Sequence, residues 1–151
     1  MGKVTATPCK NCIYLKHPAE KVWALLKDFD KLNEAAPNVV QKCELVSGEN
    51  NTVGARRNLN DAFMETLVAY DADNMTYTYS IDQDSVPPQI KEITNYRSTF
   101  TVVPINLGAG AGGCVVTQQS SWEEPEGDKG THGFCMPIYG ALFKDMEALL
   151  G

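Results

Sequence analysis

The chain predicts an α+β fold, in which an antiparallel sheet of seven strands curls around a long C-terminal helix. Three features of the sequence carry that expectation. From Val39 to Trp122, runs rich in β-branched and aromatic residues alternate apolar with polar and are broken by short turn clusters, as hairpin-linked strands require. Ahead of that block, Val22, Trp23, Leu25, Leu26 and Phe29 recur at helical spacing. Behind it, Ile138, Leu142, Met146 and Leu149 do the same. Strands gathered into one block, rather than alternating with helices, mean α+β.

Taken in order, a first strand is expected within residues 3–16, around Ile13, Tyr14 and Leu15, with its exit marked by His17-Pro18. Pro18 suits a first helical turn, Glu20 follows in that turn, and the stripe from Val22 to Phe29 continues it. A second short helix is expected over 31–36, stopped by Pro37. Six strands are then expected at 39–46, 53–59, 63–70, 75–81, 93–103 and 114–122, separated by SGENN, DADN, QDSVPP and the glycine tract 108–113. That tract lacks the lysine and helix opening of a phosphate loop, so it reads as a hairpin tip. The last helix is expected at 136–150, with Pro137 near its start.

The most informative stretch is VGARRNLNDAFMETLVAYD, residues 53–71. Strand side chains alternate, so Val53, Ala55, Arg57 and Leu59 share one face, and Phe63, Glu65, Leu67 and Ala69 share another. One arginine and one glutamate thus interrupt otherwise apolar faces. A three-residue turn, Asn60-Asp61-Ala62, sets Arg57 opposite Glu65 in the interior. A two-residue turn, Asn60-Asp61, sets Arg57 opposite Met64 and sends Glu65 outward beside Arg56. The pattern alone leaves both open.

A chain of 151 residues, 43% of them hydrophobic, suits one domain, 1–151, with a sizeable core. A net charge of -6 without a Lys/Arg cluster argues against nucleic acid and anionic membranes as partners. No run approaches a membrane span and the N-terminus lacks a signal-type apolar segment, so a cytoplasmic location is expected. The five cysteines read as reduced thiols. Cys9 and Cys12 form a C-x-x-C in what looks like an early strand, which is poor context for redox or metal chemistry. Tyr79, Tyr96 and Ser98 fall on apolar strand faces, and buried hydroxyls need partners within the core or from a ligand.

The stretches HPAEKVWALLKDFDKL, KCELVSGENNTVGARR, ETLVAYDADNMTYTY, NYRSTF and EEPEG resemble the helix-grip superfamily of START domains, polyketide cyclases and birch-pollen-allergen relatives (SRPBCC). Within it, they are most similar to the plant lachrymatory factor synthases and, more distantly, to the abscisic acid receptors. The receptor gate loop and latch have no counterpart in LNDAF and IKEIT, and Gln41 stands where the receptors carry a ligand-binding lysine. The resemblance to the synthases implies a helix-grip fold and places their catalytic arginine and glutamate on Arg57 and Glu65. It also favours the interior register. The implied activity is cofactor-free and metal-free, the rearrangement of a small reactive molecule such as a sulfenic acid to a thial S-oxide, with arginine holding the oxygen and glutamate moving the proton. The implied pocket takes a hydrophobic small molecule, with substrate contacts expected from Tyr79, Tyr96, Ser98, Phe100, Leu67, Phe134, Ile138 and Leu142. A non-catalytic carrier of a hydrophobic ligand or lipid would use the same container.

Overall fold

A computed structural model describes residues 2–127 and 130–151. Its elements are β1 (Lys3–Thr5), β2 (Cys9–Leu15), α1 (Ala19–Leu26), α2 (Leu32–Ala35), β3 (Cys43–Ser47), β4 (Arg56–Leu59), β5 (Phe63–Asp71), β6 (Thr76–Ile81), β7 (Thr94–Pro104), β8 (Cys114–Pro125) and α3 (Gly130–Leu150). Strands β3 to β8 form an antiparallel meander, and β1 and β2 both pair with β8, giving an eight-stranded sheet. The α+β helix-grip architecture therefore holds, with α3 lying against β2, α2 and the single helical turn Pro88–Ile90.

The expected first strand is split in two. Pro8 has no N–H for the ladder, and the register slips by one residue between Thr5↔Glu123 and Cys9↔Ser120. Cys9 is buried and Cys12 exposed, on opposite faces of β2, so the C-x-x-C does not converge on one site. Residues 39–42 are turn rather than strand, because Val39 and Val40 donate their N–H groups back to the Ala36 carbonyl. The final helix starts at Gly130, well before the expected 136, so Pro137 lies inside it and withholds the N–H that Gly133 would accept. Among the described residues, no helix is long and apolar enough to cross a membrane.

The hairpin of β4 and β5 combines features of both turns. Asn60 and Asp61 adopt left-handed backbone, with φ of 57° and 56°, which these two residue types tolerate best after glycine. Ala62 N–H bonds the Leu59 carbonyl at 2.9 Å, closing a two-residue turn. Ala62 itself stays outside the ladder, however, and the pairing is Leu59↔Phe63 and Arg57↔Glu65. The interior register is the one the chain adopts. Further along, the β5–β6 register shifts between Leu67 and Ala69, so Val68 is bulged. The alternation is reset there. Ala69, expected on the Glu65 face, is exposed, while Tyr70 sits opposite Tyr77 and stacks on it at 6.1 Å.

The core lies between the concave sheet face and the helices. Tyr77 and Tyr79 of β6, Tyr96, Ser98, Phe100 and Val102 of β7, and Cys114, Val116, Gln118, Ser120 and Trp122 of β8 all point into it. Cys135, Tyr139, Leu142, Phe143 and Met146 of α3 meet them from the other side. Asn38 fixes the helix by donating its backbone N–H and its side-chain Nδ2 to Asp145, at 2.7 and 2.9 Å.

Candidate active site: a cavity with one carboxylate

A cavity of about 250 Å³ opens between the sheet and α3. Sheet residues Leu59, Phe63, Glu65, Tyr79, Ile81, Tyr96 and Gln118 line one side. Phe134, Cys135, Ile138, Tyr139 and Leu142 of α3 line the other, and Leu32, Val39, Val40, Asn60 and Ile90 complete it. Asn60 secures that rim: its Oδ1 accepts from the Gln41 and Lys42 backbone and its Nδ2 donates to the Val39 carbonyl.

Among the described residues, Glu65 is the one charged side chain on this wall, and it is 4% exposed. Arg57 donates to it through Nε at 2.9 Å and Nη2 at 2.7 Å, and both bonds fall on the same oxygen, Oε1. Oε2 has no hydrogen bond among the described residues. Arg57 is fully buried behind Glu65 and does not line the cavity. Its Nη1 donates to the Phe29 carbonyl at 2.8 Å, and its guanidinium lies 4.1 Å from the Phe29 ring centroid and 4.8 Å from that of Tyr79. The expected role of arginine, holding a substrate oxygen, therefore has no geometry to support it. Phe29, brought across from the turn after α1, already occupies the guanidinium.

Burial works against charge on both partners, and the outcome differs between them. Glu65 is pushed above the ordinary carboxylate range by desolvation, which the adjacent Arg57 opposes but does not cancel. Desolvation is the largest single influence on Arg57 and works against its charge, but the attractions of Glu65, Tyr77, Tyr79 and Cys43 together outweigh it and hold the guanidinium charged. Tyr79 and Tyr96 are raised well above an ordinary phenol, chiefly by burial, so both stay protonated donors. The Cys135 thiol is pushed up to about 11, again mainly by burial, and is not a thiolate near neutral pH.

Of the expected contact residues, Tyr79, Tyr96, Phe134, Ile138 and Leu142 reach the cavity and Ser98, Phe100 and Leu67 do not. Those three face inward but are covered. Ser98 accepts from Gln118 Nε2, Phe100 packs on Tyr77 and Tyr79, and Leu67 sits opposite Tyr79 on the neighbouring strand. Two polar wall residues, Gln118 and Tyr139, were missed by sequence reasoning. Alternation from Cys114 and Val116 through to Trp122 puts Gln118 rather than Gln119 inside, so a signal was present. Tyr139 shares the helical face of Cys135 and Leu142, and its hydroxyl bonds Tyr96 and donates to Ser120 Oγ at 2.7 Å.

Residues 1–144 match the family described as polyketide cyclase / dehydrase and lipid transport. The chain belongs to that family. Among solved structures, this polyketide cyclase / dehydrase family chain is similar to a protein from Nitrosospira multiformis, at 29% identity and a TM-score of 0.83 over 94% of each chain. It is also similar to an uncharacterised protein from Bacillus thuringiensis, at 20% identity and a TM-score of 0.74 over 95% of this chain and 98% of that one. A third is norcoclaurine synthase from Thalictrum flavum, solved with dopamine and hydroxybenzaldehyde, at 14% identity and a TM-score of 0.69 over 98% of this chain and 87% of that one. The last two likenesses speak for the fold. The family supports a ligand-binding or cyclase-type role.

Proposed function

We propose that the chain is a cofactor-free enzyme of isomerase or cyclase type, moving a proton on a small apolar substrate with Glu65 as the base. The observation that carries this reading is a single carboxylate on an otherwise uncharged wall, anchored through one oxygen with the other left for a substrate. A carboxylate whose pKa is raised by burial is a better base than one in water, and a fixed orientation spares the substrate from finding it. Arg57 acts as a positioning residue. It keeps the carboxyl oriented and compensates its charge without touching substrate.

The rearrangement of a sulfenic acid to a thial S-oxide fits this machinery as a concrete case. Glu65 Oε2 takes the O–H proton and returns it to the alkenyl carbon, the double bond moves to sulfur, and no atom is gained or lost. The test generates a sulfenic acid in situ with a separate lyase and scores thial S-oxide against spontaneous thiosulfinate. Wild type should yield product, and Glu65→Gln should not. The double variant Arg57→Met/Glu65→Gln, which leaves no buried charge unpaired, controls for misfolding. Absence of product from wild type would remove this reaction.

The apolar character of the remaining wall, with Leu32, Val40, Ile90 and Leu142, also suits a non-catalytic carrier of a hydrophobic molecule or lipid. The two readings part on Glu65→Gln. An enzyme loses turnover while retaining ligand, whereas a carrier changes only in affinity.

A further inference from the structure

The polar atoms on the cavity wall can be followed one by one. Asn60 bonds backbone partners through both side-chain atoms, Oδ1 accepting from Gln41 and Lys42 and Nδ2 donating to Val39. Tyr96 bonds Tyr139, and Tyr139 passes its own proton to Ser120 Oγ. Gln118 is 0% exposed and spends its Nε2 on Tyr79 Oη and Ser98 Oγ, at 3.3 Å each. Those two bonds fix the amide, and its Oε1 is left buried with no hydrogen-bond partner among the described residues. A buried acceptor of this kind costs free energy until something donates to it. Glu65 Oε2 is a second acceptor without a bond, on β5, with β6 and β7 lying between it and Gln118 on β8.

Among the described residues, no Lys or Arg side chain lines the wall. Arg57, the cation paired with Glu65, is enclosed behind it with donors on Glu65, the Phe29 carbonyl and Tyr77 Oη. An anionic ligand would set its charge against Glu65 and against the lone pairs of Gln118, with neutral donors such as the Tyr79 hydroxyl but no lining cation among the described residues to compensate it. A hydroxyl would instead donate to either acceptor. The aromatic and aliphatic remainder of the wall accepts a ring or short chain. At about 250 Å³ the space falls just below that of ordinary drug-sized ligand pockets, so the occupant is small.

We infer that the cavity selects neutral apolar molecules that carry hydrogen-bond donors, phenolic or enolic in class, reading them through Gln118 Oε1 and Glu65 Oε2, and that it rejects carboxylates and phosphates. This rests on the cavity being the ligand site, and it holds for an enzyme and a carrier alike.

Three probes with one ring system test it: 2-naphthol, which donates; 2-methoxynaphthalene, which only accepts; and 2-naphthoate, which is anionic. Each is titrated into the intact protein near neutral pH by calorimetry. The expected result is binding of 2-naphthol at least about tenfold tighter than either of the others, the discrimination that pairing buried polar groups affords. Gln118→Leu should shrink that preference, read as the ratio of the two dissociation constants, about fivefold or more, with Gln118→Met as the second variant if the first does not fold. Tighter binding of 2-naphthoate, equal binding of the ether, or a preference unmoved in both variants would overturn the donor class while leaving the cavity as a ligand site. Failure of all three probes to bind would overturn the cavity reading itself, and the inference with it.

Discussion

Arg57 and Glu65 leave water together, and each stays buried because of the other. Removing either alone strands a charge, so Arg57→Met or Glu65→Leu should lower stability by about 3–5 kcal/mol, read as a shift in the urea midpoint. The double variant Arg57→Met/Glu65→Leu should recover most of that loss. Acid titration adds a signed test. Because the folded carboxyl of Glu65 lies above its unfolded value, its contribution to stability is full below the ordinary carboxylate pKa and is lost as pH rises through the raised one. Under the proposed role of Glu65 as base, turnover should run the opposite way, falling as pH drops through the raised value and the carboxylate takes up its proton. Urea midpoints from about pH 4 to 8 should therefore flatten in the double variant. The presence of this pair could be read from sequence, since both residues interrupt apolar alternation. Which of them faces the cavity could not, because that depends on Phe29 arriving from a distant turn to cover the guanidinium.

The β4–β5 hairpin holds one residue, Ala62, between its turn and its ladder. Deleting Ala62 leaves a two-residue Asn60-Asp61 turn whose left-handed backbone is already suited to it, and the ladder then closes with Leu59 still opposite Phe63 and Arg57 still opposite Glu65. The buried pair should therefore survive, and the melting transition of the deletion protein should show none of the drop of about 3–5 kcal/mol that a stranded arginine would cause. Asp145 is the corresponding anchor of α3. Asp145→Ala removes both bonds from Asn38 and should cost about 1.5–3 kcal/mol, the range for hydrogen bonds to a charged group. Most elements were evident from local period, and the misses have local causes. Pro8 divides the first strand, the bulge at Val68 reverses the faces of β5 beyond it, and the helix extends back to Gly130 through glycines and a proline that propensity counts against it.

For the molecule as a whole, ligand binding should register as thermal stabilisation. A probe present at about one hundred times its Kd adds ~2.7 kcal/mol, which for a chain of this length raises Tm by roughly 5–10 °C. Gln118→Leu, at a fivefold loss of affinity, should remove about a third of that rise for 2-naphthol at the same probe concentration, measured by differential scanning. The meander order of β3 to β8 follows from short connections and was evident in the turn clusters. The return of the N-terminal strands to β8 was not, because no local pattern encodes a partner so far along the chain. That return has a kinetic consequence. On the ribosome, Cys9 must wait for Ser120 to be made, and Leu15 for Cys114, before the ladder between them can form. Until then the N-terminal strand is an unpaired edge, exposed to other chains, and closing the sheet is a non-local step of the kind that slows folding.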